Sequence, residues 1–235
     1  MIDRKTFFSE VRRTLFNGVL VQGQVDGINA ILDEWEHHRL TDPRWLAYML
    51  ATPYHEVDRT MQPIREYGGT AYFRQMYDIE GSRPAVARML GNLHPGDGAL
   101  FAGRGLVQLT GRRNYARMTT LVTRPRFGID LERDPDKALR LDVAVAVMFE
   151  GMLRSESGFG DFTGVALEDF FSARQDDPIH ARTIINGLDR AELIAGYHAK
   201  FLKAIKDASQ AAGAHGVAAP VLSEAEGPVL RRVEG

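Results

Sequence analysis

Between Leu50 and Gly69 the chain reads LATPYHEVDRTMQPIREYGG, which puts two glutamates, Glu56 and Glu66, ten residues apart. Two kinds of chemistry use such residues. A histidine followed by glutamate opens one type of zinc-peptidase motif, and a pair of carboxylates can serve as acid and base in cutting a sugar polymer. The zinc reading fails on spacing. It needs a second histidine four residues after His55, and that position is Arg59. His37, His38, His94, His180, His198 and His215 form no ligand pattern, and with no cysteine in the chain a thiolate metal site is excluded. No metal and no cofactor are expected.

The other reactive motifs are absent. GRGLVQLTG, Gly103 to Gly111, fails the dinucleotide pattern because Gln108 stands where the third glycine belongs, and no Gly-Lys-Ser/Thr follows it. No serine lies in a GxSxG elbow. The carboxylate pair is left, in a neighbourhood rich in aromatics and amides. Glycosidic cleavage needs a protonated carboxyl near the leaving oxygen and, in the inverting mode, an ionised one that activates water from the other face. Sugars also need flat apolar surfaces and multidentate polar groups. Tyr54, Tyr67, Tyr72, Phe73 and Tyr77 offer the first, and Gln62, Gln108 and Asn114 the second. The bland alternative is a solvated helix bearing glutamates beside aromatics that merely pack.

Helices must position these groups. Ile28, Ile31, Leu32 and Trp35 recur at helical spacing. TDPRWLAYMLATPYHE predicts the next helix, capped by Thr41 or Asp42, with Pro43 in its first turn and Trp45, Met49 and Leu50 as its buried stripe. Pro53 removes one helical hydrogen bond, so a kink or break is expected just before His55 and Glu56. From Gly68 to Gly105, glycine, proline and aromatics predict loops and short irregular elements, and LVQLT just beyond could form a short strand. Val143, Val145 and Val147 alternate as in a strand. Segment length and the DPDKAL lead-in favour a helix instead. GVALEDFFSARQDDPIHARTIING and DRAELIAGYHAKFLKAIKD complete a largely helical plan, with Asn186-Gly187 a helix stop and turn between them. The composition then shifts, so a catalytic domain over 1–208 and a flexible low-complexity tail over 209–235 are expected.

Composition bounds the partners. A chain of 235 residues with 44% apolar and 26% charged residues is ordinary for a globular domain, and its net charge of −2 gives no pull toward nucleic acid or anionic membrane. No run approaches the roughly eighteen apolar residues of a membrane span, and the start lacks the apolar stretch of a secretory signal. The expectation is a protein that is cytoplasmic as synthesised and monomeric, and that reaches any extracellular target by release or export.

The ordered set YMLATPYHE, MQPIREYGG, AYF, GNLHPGDG, FAGRGLVQLTGRRNY, GIDLERDPDKALRLDVAVAVMF and IING resembles glycoside hydrolase family 19. The likeness runs from about Leu46 to Phe201 and is closer to the phage and prophage endolysin (lysozyme-like) branch than to plant chitinases. It implies a mainly α, lysozyme-like two-lobed domain with a central substrate cleft and little β structure. The implied activity is metal-independent, inverting hydrolysis of β-1,4 links to N-acetylated amino sugars. The substrate would be bacterial peptidoglycan, as in cell-wall lysis, or alternatively chitin; a non-catalytic glycan-binding module is the reading from another class. Carried over by position, Glu56 is the general acid, uncharged between apolar walls for which Met49 and Tyr54 are candidates. Gln108 and Thr110 bind sugar or hold the attacking water, and Tyr115 and Asn186 line the cleft. Tyr67 and Arg104 join them as substrate-binding candidates. Glu66 is the preferred second carboxylate, with Asp78 or Glu80 as alternatives and Arg65, Arg104 or Arg112 as possible ion-pair partners for Glu66. The chain departs from the family pattern at Pro53, and it lacks the glycine pair that chitinases often place after the acid.

Overall fold

A computed structural model describes residues 2–153 and 162–216, with side chains through residue 213. The protein is mainly helical. Helix α1 (Arg4–Thr14) starts where the Asp3 carboxylate accepts the Thr6 N–H, and it buries Phe7 and Val11. Helix α2 (Gln22–His38) buries Ile28, Ile31, Leu32 and Trp35, the stripe that the spacing predicts. Helix α3 (Pro43–Glu56) is capped by Asp42, whose side chain accepts the Arg44 N–H, and Pro43 occupies its first turn.

Pro53 does not break α3. The helix continues to Glu56, its last residue, and the Val57 N–H closes the end by donating to the Pro53 carbonyl at 3.0 Å. A proline inside a helix costs about 3 kcal/mol, which burying Tyr54 and Val57, at roughly 2 kcal/mol each, together offsets. Both residues are almost wholly buried.

The short helices α4 (Thr70–Tyr77), α5 (Pro84–Leu90), α6 (Asp97–Leu100), α7 (Arg112–Met118) and α8 (Arg124–Phe127) follow, with a π-turn over Thr119–Thr123 joining the last two. Strand β1 (Ile64–Arg65) pairs antiparallel with β2 (Arg104–Gly105), Ile64 opposite Gly105 and Arg65 opposite Arg104. The expected strand at LVQLT is therefore displaced: Leu106 to Gln108 form a turn that brings Leu109 back against Arg104. Gly105 and Gln108 both take positive φ there, which a strand does not allow.

Helix α9 (Leu141–Met152) follows a 3₁₀ turn at Pro135–Leu139 and is buried nearly all round. Its Ala144, Val145, Met148, Phe149 and Met152 join the large apolar cluster built on α1, α2 and α3, whereas Val143 and Val147 face a second cluster around Phe101, Tyr115 and Met118. A helix between two cores explains why its apolar residues follow neither period cleanly. The expected helix from Gly164 to Gly187 is not one. That segment makes 3₁₀ turns at Leu167–Asp169 and His180–Ile184 around a hairpin, β3 (Phe171–Ser172) with β4 (Gln175–Asp176). Asn186 and Gly187 do sit in a bend before α10 (Ala191–Gly216).

Helix α10 packs along α3 and α1. It continues past Ser209, so the boundary expected at 208 is not an end of structure; Ala208 is buried and its carbonyl accepts the Asp3 N–H at 3.2 Å. The rest of the expected tail, 217–235, lies outside the described residues. Among the described residues no helix is long and apolar enough to cross a membrane.

Candidate active site

Glu56 leaves the C-terminal end of α3, and Glu66 follows β1 directly. Both line one cavity of about 980 Å3, together with Gln108, Thr110, Asn114 and Asn186. The chain returns through the β2 turn to bring these groups in. Thr110 Oγ1 donates to the Gln108 carbonyl at 2.9 Å, and Asn114 Nδ2 donates to the Thr110 carbonyl at 2.9 Å. Gln108 Nε2 lies 3.4 Å from the Ile64 carbonyl and 3.3 Å from that of Gly105, so both strands orient this amide.

The two carboxylates have different environments. Glu66 accepts from the Tyr77 hydroxyl at 2.8 Å and from the Gly103 N–H at 3.1 Å. Burial, reinforced by this hydrogen bond to an acid, raises the Tyr77 phenol well above its ordinary range, so it stays a donor. Gly103 has to be small: a Cβ there would come within 2.8 Å of Gln108 Oε1 and 3.0 Å of Glu66 Oε2. Glu66 forms no ion pair among the described residues. Arg65 and Arg104 both reach Asp136 instead, at 2.5 and 2.8 Å, and Arg112 pairs with Asp97. The arginine partners expected for Glu66 are thus engaged elsewhere, because acids closer in the fold claim them.

Glu56 is paired. Arg182 Nη1 donates to its Oε1, with the arginine side chain 4% and the glutamate side chain 15% exposed. Arg182 Nε donates to the Asp189 carbonyl at 3.2 Å, which fixes the guanidinium. Glu56 Oε2 takes no hydrogen bond from the described residues. This corrects the expected apolar walls. Met49 and Tyr54 belong to the core, and the Tyr54 hydroxyl donates to the Leu15 carbonyl at 2.5 Å. Beside Glu56, burial lowers the His55 imidazole, against the pull of the neighbouring carboxylate.

Other expected site residues lie elsewhere. Tyr115 is fully buried. Its hydroxyl donates to the Ala102 carbonyl at 3.0 Å and meets Arg104 Nη1 at 3.1 Å, and burial pushes it up to about 12. Arg104 is equally enclosed, spending its donors on Asp136 and on the Leu100 and Ala102 carbonyls. Both hold the second core and do not reach the cavity. Tyr67 is largely exposed and does not line the cavity either. Asp78 is buried and accepts the Gly96 and Gly98 N–H groups at 2.7 and 3.2 Å, so it organises a loop. Asp78 and Glu80 border a separate depression. Among the described residues no three His, Asp or Glu side chains gather as a metal-holding group.

Two contributors escaped the sequence reading. Arg182 lies four residues before Asn186 in a segment read as helix, and no local pattern ties it to Glu56, 126 residues away. Gly103 was visible as the first glycine of GRGLVQLTG, but nothing in that motif gave it a part in holding Glu66. No family model matches the chain, and a search of curated proteins returns no match.

Proposed function

We propose that this chain is a glycoside hydrolase that cuts β-1,4 links in the glycan strands of bacterial peptidoglycan, by metal-independent acid–base catalysis with inversion. The observation that carries the reading is the shared cavity: Glu56 and Glu66 open into one space with sharply different partners, one held by a cation and the other by neutral donors. Two carboxyls facing one cleft are what acid–base cleavage of a glycosidic bond requires. The two apolar clusters on either side of α9 are compatible with a lysozyme-like arrangement of two lobes about the cleft.

In the resting protein Glu56 is held as a carboxylate by Arg182; in this mechanism it takes a proton from solvent on Oε2, the oxygen that Arg182 leaves open, and passes it to the glycosidic oxygen. As the proton leaves, Arg182 on Oε1 stabilises the carboxylate that forms. Glu66, oriented by Tyr77 and Gly103, takes a proton from the water that attacks the anomeric carbon. Thr110 and Gln108 hold that water or the sugar. The balance is one water consumed, one C–O bond broken and two hydroxyl ends made.

The ion pair on Glu56 favours a second reading, a non-catalytic glycan-binding module, because its carboxylate is already committed to the buried Arg182. Release of reducing ends from purified sacculi and from chitin oligomers, by the protein and by Glu56→Gln, tests both. The hydrolase should release ends from sacculi, and the variant should be about 10²–10⁴ slower, the usual worth of a positioned acid. Normal release by Glu56→Gln overturns the assignment. Binding to sacculi without release supports the module, and release from chitin alone makes chitin the substrate.

A further inference from the structure

Helix α7 carries three arginines, Arg112, Arg113 and Arg117, with different fates. Arg112 is spent on the fold. Its Nη2 and Nε meet the Asp97 carboxylate at 2.6 and 3.0 Å, its Nη1 lies 3.5 Å from Glu132, and its guanidinium carbon sits 4.4 Å over the Phe101 ring. Arg113 and Arg117, one helical turn apart on the same face, line the cavity that holds Glu56 and Glu66.

Arg113 is the informative one. Its base is pinned, because Gly91, in a left-handed conformation at the end of α5, lies against it; a Cβ on Gly91 would come within 2.8 Å of the Arg113 Cβ. The rest of the side chain is exposed and forms no ion pair among the described residues. Neither acid in the cavity neutralises it, since Arg182 holds Glu56, while Tyr77 and Gly103 hold Glu66. Neutral N-acetylated sugars need amides and hydroxyls, which Gln108, Thr110, Asn114 and Asn186 already present. A guanidinium fork matches a carboxylate, which it can engage through two parallel hydrogen bonds.

The geometry points to Arg113 as the residue that selects carboxylate-bearing glycan over neutral glycan in this cavity. This deepens the proposed hydrolase reading and rests on it. A carboxylate can come from an acidic sugar substituent or from a peptide attached to it; the chemistry at Arg113 is the same.

Calorimetric titration of Glu56→Gln, whose slowed cutting should leave the probes intact during the measurement, uses three probes: peptidoglycan glycan fragments with their stem peptides, the same fragments stripped of peptide, and either fragment after methyl esterification. The acid forms should bind about fivefold tighter than their esters, the worth of one partly exposed ion pair. That ratio should fall to about one when Arg113→Gln is added, and Arg113→Lys should restore part of it. Raising the salt should also erode it. A preference shown only by the peptide-bearing fragments identifies the peptide carboxylate as the partner, and one shown only by the stripped fragments identifies the sugar's, which stripping frees from its amide; a preference shown by both means that Arg113 takes either, and each supports the inference. Equal binding of acid and ester, or a preference that persists in Arg113→Gln, overturns it. A protein that cuts sacculi yet shows no such preference leaves the hydrolase reading standing while Arg113 falls. Arg113-dependent selection without any cutting by the wild type sinks the hydrolase reading alone.

Discussion

Replacing Glu56 by Gln and Arg182 by Met, singly and together, tests whether the pair beside the cavity is a real energetic unit. Arg182 is 4% and Glu56 15% exposed, so removing one partner strands the other charge with little water. Breaking a buried pair typically costs 3–5 kcal/mol. Glu56 borders the open cavity, which places Arg182→Met at the low end, about 3 kcal/mol. Glutamine keeps an acceptor for the guanidinium, so Glu56→Gln should cost only about 1–2 kcal/mol. The double variant removes both charges and should be less destabilised than the sum by about 2 kcal/mol. Urea unfolding of the four proteins at neutral pH, compared at a common slope, reads this coupling directly. A coupling under about 0.5 kcal/mol, the ordinary scatter of independent sites, would mean that the two side chains do not interact, and the account of how Glu56 is held would be refuted.

Gly103→Ala puts a methyl group 2.8 Å from Gln108 Oε1 and 3.0 Å from Glu66 Oε2, so the far ends of both side chains must shift. Reducing-end release should fall at least about tenfold, because small misplacements of reacting groups are costly, while thermal melting changes little; an undiminished rate would count against Glu66 as the base. His198 supplies a pH signature. Burial among Tyr48 and Phe171 pushes it down to about 4, although Asp42 and Asp176 pull the other way; its Nε2 faces the Arg44 carbonyl. The unfolded chain therefore binds the extra proton first. The stability that the neutral ring contributes is fully present above about pH 6.5 and is lost as pH falls toward 4, on the order of 3 kcal/mol in all. Urea midpoints at several pH values across this window should slope upward with pH, and His198→Gln should flatten that slope.

Several elements were legible because their determinants are local. The stripe of Ile28, Ile31, Leu32 and Trp35, the cap at Asp42 with Pro43 behind it, and the Asn186-Gly187 bend each depend on residues a few positions apart. The plan failed where distant packing outvoted local preference. Pro53 stays inside α3 because Tyr54 and Val57 are buried, and the segment after Gly164 turns into a hairpin and 3₁₀ turns although its apolar residues suggested a helix. Residue type likewise flagged Glu56, Glu66, Gln108 and Asn114, the family resemblance added Thr110 and Asn186, and the fold brings all six to one cavity.

Residue type could not reveal which charged group each of these meets. Tyr115 and Arg104 go into the second core, Asp78 goes to backbone amides, and Arg182 crosses 126 residues of sequence to reach Glu56. A side chain's spacing along the chain records which helix face it shares. Its protonation and hydrogen-bond partners depend on what three-dimensional packing places within about 3 Å, and contacts between distant segments leave no periodic trace in the sequence.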